Sequence, residues 1–163
     1  MSPPPLQFAL RRYQPADAPQ MAQLHFDSAR RLGSRRYSPE QVAAWAPAPV
    51  DAAIVDARAS DGRLTLVAID PHGQILAYGD LEADGHIDHL YCRPDAAGRG
   101  VASALLDGLM AEAGTRGLTR LYVEASELAR GLLERKGFIV LHRRDFEVRG
   151  VPIHNYAMER SAG

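Results

Sequence analysis

The sequence predicts an α+β domain built on a mixed, mostly antiparallel sheet of about seven strands, with helices on both faces. Three observations carry this. The apolar pattern changes from helical spacing to alternation near residue 64 and returns to helical spacing near residue 100. Asp84-Gly85 separates two alternating runs, a strong hairpin signal. A helical run over 100–115 lies between the alternating runs 85–92 and 119–124, the order of one right-handed βαβ crossover.

The elements follow in order. Residues 1–5, Met-Ser-Pro-Pro-Pro, are expected to be a disordered or extended start, and 6–163 a single domain, the usual scale for 163 residues. Leu6, Phe8 and Leu10 alternate with polar neighbours, which predicts a first strand. Pro15 to Leu32 places Met21, Leu24, Ser28 and Leu32 on one helical stripe. Ser38-Pro39-Glu40-Gln41 is a helix start, with Ser38 as cap, Pro39 at the first helical position and Gln41 closing a capping box. Pro47 and Pro49 end that helix, and another short one is expected over 51–59. Strands follow over 64–70, 74–81 and 85–92. After the helix at 100–115 come a strand at 119–124 and a helix at 126–136 stopped by Gly137. A closing hairpin over 138–158 turns at Arg149-Gly150.

Composition excludes several functions. The formal net charge is −1, so no basic field exists to hold nucleic acid or an anionic membrane. The lone cysteine, Cys92, allows neither an intramolecular disulfide nor a cysteine zinc cluster. The N-terminal residues lack the pattern of a secretory leader, and no apolar run approaches the length of a membrane span. A cytoplasmic location is therefore expected. Abundant Ala and Arg beside a single Lys, Lys136, suggest a GC-rich bacterial genome.

The chemistry is concentrated in residues 88–103. A strand runs into a loop with Gly98 and Gly100, and the loop opens a long helix. The glycines let backbone amides approach a ligand, and the helix N-terminus supplies unpaired N–H groups. That is a phosphate cradle. No Gly-Lys-Ser/Thr follows, so it is not the nucleoside-triphosphate loop. The stretch Gly98 to Ser103 imitates a dinucleotide fingerprint. Two facts weigh against that reading: five residues separate Cys92 from Gly98, and the preceding strands are antiparallel.

Ala97-Gly98-Arg99-Gly100-Val101-Ala102 resembles the Q/R-x-x-G-x-G/A signature of the GCN5-related N-acetyltransferases, with Ala97 in place of Gln or Arg. Residues 129–138 resemble the family's A-x-x-x-Y-x-x-x-G-F segment, with Leu133 at the Tyr position. Tyr37-Ser38-x-x-Gln41-x-x-x-Trp45-Ala46-Pro47 and Asn155-Tyr156-x-Met158 resemble a bacterial subgroup of small-molecule acetyltransferases. The resemblance spans nearly the whole chain. It implies transfer of an acetyl group from acetyl-CoA, as co-substrate, to an amine in a ternary complex. A small-molecule amine is favoured as acceptor, with a peptide amine as the variant. The alternative is a non-catalytic acyl-CoA-binding module.

On that resemblance, Ala97, Gly98, Arg99, Gly100, Val101, Ala102 and Ser103 hold the pyrophosphate. Leu90, Tyr91 and Cys92 pair with the pantetheine arm and polarise the thioester. Ser126 touches the cofactor or caps a helix. Cys92 is otherwise a small buried hydrophobe. Asp88 is the expected base, a partly buried carboxylate able to take an ammonium proton directly or through water. His89 is the rival, expected on the opposite strand face. The general acid is expected at Tyr91, Tyr156 or a water on Ser126. Tyr37 and Trp45 are expected to line the acceptor pocket, and Glu82, Asp84 and Glu124 can attract a cationic amine. Arg143-Arg144 is expected as a surface pair or a contact to the 3′-phosphate. No metal site is expected from His86-x-Asp88-His89. A homodimer through an edge strand or the final hairpin is plausible.

Overall fold

A computed structural model describes residues 5–161; of the expected extended start only Pro5 falls among them, exposed and outside any helix or strand. Strands β1 (Ala9–Arg12), β2 (Leu64–Ile69), β3 (Ile75–Leu81) and β5 (Leu90–Cys92) form an antiparallel sheet in the order β1-β2-β3-β5. Strands β4 (His86–Ile87), β6 (Arg120–Ala125), β8 (Val151–Ser161) and β7 (Ile139–Val148) form the second sheet, in the order β4-β6-β8-β7. Within it β4 and β6 are parallel and the remaining pairs antiparallel.

Helices α1 (Ala18–Asp27), α2 (Pro39–Trp45), α3 (Ala52–Ala59), α4 (Val101–Thr115) and α5 (Glu127–Arg135) surround the sheets. The expected helix starts hold: Ser38 Oγ accepts from Gln41 N, Gln41 Oε1 accepts from Ser38 N, and Pro39 is at the first position. Helix α1 does not run evenly to Leu32. It loosens into a π-helical stretch over Ser28–Leu32, the kind of wide turn that often borders a functional site. Among the described residues, no helix is long and apolar enough to cross a membrane.

Helix α4 joins the two halves. Its Val101 and Leu105 pack with Ala68, Leu76 and Ala77 on the first sheet. Its Leu106, Leu109 and Ala113 pack with Leu121, Val123, Leu133 and Met158 around the second. All five of these α4 side chains are fully buried, at 0% exposure. The turn before β4 depends on Gly85, where φ is +100° and a Cβ would lie 2.1 Å from Arg120 O, a position open only to glycine.

The run expected as one strand over 85–92 is two strands. It breaks at Asp88-His89, with β4 paired to β6 and β5 paired to β3. The buried Asp80 on β3, only 4% exposed, holds the break. Its Oδ1 accepts from Asp88 N at 3.1 Å and His89 N at 2.7 Å. Its Oδ2 lies 2.9 Å from Arg63 Nη1 and 2.8 Å from His89 Nδ1. Two consecutive amides thus turn to one carboxylate, and strand alternation fails here. His89 is not on the face opposite Asp88, as alternation predicted. Its Nδ1 lies 3.5 Å from Asp88 Oδ2.

Burial alone would raise the Asp80 pKa, but the His89 and Arg63 bonds outweigh it and hold it below the usual carboxylate range. The stabilisation is present above the unfolded-state pKa and lost as the pH falls through the folded one. Replacing Asp80 by Ala leaves the Asp88 and His89 amides and His89 Nδ1 without their acceptor and takes one of the close carboxylates from the buried Arg63 guanidinium. It is expected to lower unfolding free energy by about 3–5 kcal/mol, measured by chemical denaturation.

Candidate active site

Because β4 and β5 pair in opposite directions, the two sheets splay and leave β5 as an edge of the first. His89 O and Arg93 N bond across to β3. The intervening ladder alternates, so the backbone groups of Leu90 and Cys92 face the opening. A cavity of about 490 Å³ lies there, between β5, the start of α4 and one face of α5. Leu90, Tyr91, Cys92, Ala97, Gly98, Gly100, Ala102, Ser103 and Ser126 all line it, as expected from the sequence.

Gly98 and Gly100 take positive φ values of 73° and 84°, which presents their amides without a side chain in the way. Gly100 is the residue before the first turn of α4, whose leading N–H groups have no partner within the helix. Two expected contributors bring no side chain to the cavity. Arg99 does not line it, and Val101 is turned into the core at 0% exposure. Ser126 caps α5, its Oγ accepting from Ala129 N at 3.2 Å, while still lining the cavity. Sequence reasoning missed Ser28 and Leu32, brought in by the π-helical stretch, and Arg135 and Lys136, where α5 ends. The basic pair just before Gly137 was the available signal. Lys136 Nζ is 2.9 Å from Asp107 Oδ1.

A second cavity of about 190 Å³ opens beside the first and shares Trp45, Leu90, Tyr91, Ser126 and Ala129 with it. Tyr37 and Trp45 line it as expected, joined by Asp88, His89, Glu124, Phe146, His154 and Asn155. Tyr37 is also a tie: its hydroxyl donates to His154 O at 3.0 Å and accepts from Glu127 N at 2.9 Å. Trp45 meets Tyr37 edge-on at 5.8 Å and Tyr91 at a tilt, with ring centroids 6.4 Å apart. Asp88 Oδ2 accepts from Arg63 Nη1 at 2.8 Å. Tyr156 lines neither cavity; its hydroxyl donates to Glu127 Oε1 at 2.6 Å, and Arg130 lies over its ring.

The expected surface pair divides. Arg143 is exposed and bonded to Asp145. Arg144 is half-buried, stacked over Phe146 and bonded to Asn155, both on the second cavity's wall. Arg144 itself lines neither cavity.

The model for the acetyltransferase (GNAT) domain matches residues 34–160. The chain belongs to the GNAT acetyltransferase family. It is 30% identical over 149 residues to the uncharacterized N-acetyltransferase YafP of Escherichia coli (strain K12), covering 91% of this chain and 93% of that one. A GCN5-related N-acetyltransferase crystal structure from Rhodopseudomonas palustris is similar at a TM-score of 0.86 and 37% identity, over 99% of this chain and 98% of that one. The yncA structure from Salmonella typhimurium, a putative acetyltransferase solved with acetyl-CoA, shares the fold at a TM-score of 0.76 and 16% identity, over 96% and 95% of the chains. The protein is thus an acetyl-CoA-dependent acetyltransferase.

Against the family pattern, Leu133 fills the Tyr position with a side chain at 0% exposure that reaches the second cavity's wall. Carboxylates crowd the far side of this GNAT cleft. Asp61, Asp80, Glu82 and Asp88 all lie within 4.0 Å of the Arg63 guanidinium, the closest contact being 2.8 Å to Asp88. Among the described residues, Asp80, Asp88 and His89, and also Glu82, His86 and Asp88, bring candidate ligand atoms within 4.8 Å of one another. In the first group Arg63 already bonds two of the three. His86 sits between Glu82 at 2.7 Å and Glu124 at 2.5 Å. Burial alone would lower its pKa, but these two carboxylates raise it above the ordinary imidazole value.

Burial pushes the Cys92 thiol up to about 11, so it is protonated and a poor nucleophile near neutral pH. His25 stacks on Tyr91 at 4.4 Å, and burial lowers its pKa to about 4. The unfolded chain therefore binds a proton at His25 that the folded one refuses between pH 6.5 and 4. His86 works the other way at the top of that window, because its raised folded-state pKa lets the folded chain hold its proton first. Stability is expected to fall by about 3 kcal/mol as the pH drops across it. Denaturant titrations at several pH values check this, and His25→Gln should flatten the slope.

Proposed function

We propose that this enzyme transfers the acetyl group of acetyl-CoA to a primary amine, a small molecule in preference to a peptide, by direct attack in a ternary complex. The observation that carries the reading is the junction of the two cavities at Leu90 and Tyr91, on an exposed sheet edge. The larger cavity, ending on the glycine loop and α4, suits the pyrophosphate and pantetheine of CoA. The smaller suits an acceptor.

The chemistry follows from that division. Backbone groups of Leu90 and Cys92 pair with the pantetheine arm, and an amide there steadies the oxyanion of the tetrahedral intermediate. Asp88, whose side chain is 35% exposed, takes the ammonium proton directly or through water. The freed amine attacks the thioester carbon, the C–S bond breaks, and the departing thiolate takes a proton from the Tyr91 hydroxyl; the second proton of the acylated nitrogen restores Tyr91, and Asp88 gives its proton to solvent. Burial raises the Tyr91 pKa, so that proton is in place beforehand. The high pKa of Cys92 argues against an acetylated cysteine and for direct transfer. A reducing cytoplasm belongs to the same reading, since the lone cysteine is buried and free.

Asp88→Asn keeps the shape of the side chain and removes its basicity. It is expected to lower kcat roughly a hundred- to ten-thousand-fold and leave acetyl-CoA affinity unchanged, read by steady-state thiol release and calorimetric titration. An unchanged kcat would remove Asp88 as base. Failure of the wild type to bind acetyl-CoA at millimolar concentration would sink the cofactor assignment.

A further inference from the structure

Arg144 and Asn155 face each other across β7 and β8. Arg144 Nη1 donates to Asn155 Oδ1 at 3.0 Å, and the guanidinium lies 5.4 Å from the centroid of Phe146. A guanidinium only donates, so this bond fixes the Asn155 amide with its oxygen toward Arg144 and its N–H₂ group free to turn elsewhere. It occupies one of the guanidinium's five N–H donors. Asn155 and Phe146 are both wall residues of the smaller cavity. Arg144 is not itself a wall residue; it stands behind Asn155 and Phe146 as a half-buried positive charge, and the Asn155 amide is the donor on the wall.

The opposite side of the same cavity carries Asp88 and Glu124. Its guanidinium, Arg63, is engaged with the protein's own carboxylates at 2.8–3.0 Å and is poorly placed to take another. The cavity is thus bipolar. One side attracts an ammonium, beside the proposed thioester position, and the other presents the Asn155 N–H₂ group with the Arg144 guanidinium next to it, chemistry that suits a carboxylate. Asp88 follows β4 and Arg144 lies on β7, the two edges of the second sheet.

We infer that the acceptor is an amine that also carries a carboxylate, with Arg144 and Asn155 binding the carboxylate while the amine meets the thioester. This rests on the proposed transferase reading for the identity of the cavity, and it is tested without turnover.

Trp45 is the sole tryptophan of the chain and lines the cavity, so its fluorescence reports occupancy. The CoA-loaded protein is titrated with matched pairs: methionine against 3-(methylthio)propylamine, norleucine and 5-aminopentanoate each against pentylamine. The expected result is that a carboxylate-bearing member binds at least about tenfold more tightly than its match, the scale of one charge-assisted contact. Arg144→Gln should erase that difference, Arg144→Lys should retain part of it, and neither should change CoA affinity. Equal or tighter binding of the plain amines, no binding by either member, or a preference that survives Arg144→Gln would overturn the inference. Carboxylate-dependent binding with no acetylation would instead overturn the transferase proposal and leave this one standing.

Discussion

A β-sheet opens a cleft along its middle only by giving up ladder hydrogen bonds, and the Asp80 carboxylate supplies the replacements here. It receives the amides of Asp88 and His89 where the strand leaves one sheet for the other. Those amides would otherwise be buried donors without partners, each costing on the order of 1–3 kcal/mol. The carboxylate itself is affordable in the interior only because Arg63 and His89 share its other oxygen. The larger cavity, the exposed edge of β5 and the placement of Asp88 all follow from this break. The proposed base and a fold-defining residue are therefore neighbours: Arg63 bonds Asp80 and Asp88 through the same Nη1.

Charge is arranged along the cleft to match. Arg135 and Lys136 border the larger cavity, where a polyanion is expected to lie. Acidic groups gather near the smaller one, four of them around the single Arg63 guanidinium. On the proposed function, a cationic amine arriving from solvent would meet that surplus. Much of the network is partly exposed, and salt weakens such long-range steering. The contacts buried under Asp80 are screened far less.

What the sequence revealed was local. The capping box at Ser38, the glycines at 98 and 100 and the crossover around α4 each rest on residues a few positions apart, and each is present. The break at Asp88-His89 was hidden because its cause is distant: Asp80 sits eight and nine residues before the amides it receives, and Arg63 seventeen before Asp80. Alternation therefore misplaced His89. Arg144 reads as one half of a surface pair until strand register sets it opposite Asn155. Tyr156 was drawn from a motif, and its hydroxyl turns to Glu127 because that carboxylate stands at the start of α5. Tertiary partners decided each of these positions.

On the proposed mechanism, the missing tyrosine at Leu133 bears on how the thiolate gains its proton. Tyr91 holds its proton more tightly than a free phenol because it is buried. Against an ordinary thiol, whose pKa is roughly 8.5, donation would run uphill. The walls change both partners, however. Cys92, the next residue along the same cavity, shows what they do to sulfur: burial carries its thiol up to about 11. A CoA thiolate released between Leu90 and Leu133 would meet the same loss of hydration and become a stronger base. Desolvation that makes Tyr91 a reluctant acid thus makes the thiolate a more demanding acceptor, and the two shifts offset. An apolar Leu133 strengthens that effect, so its presence is compatible with turnover as long as the cleft excludes water when acetyl-CoA is bound.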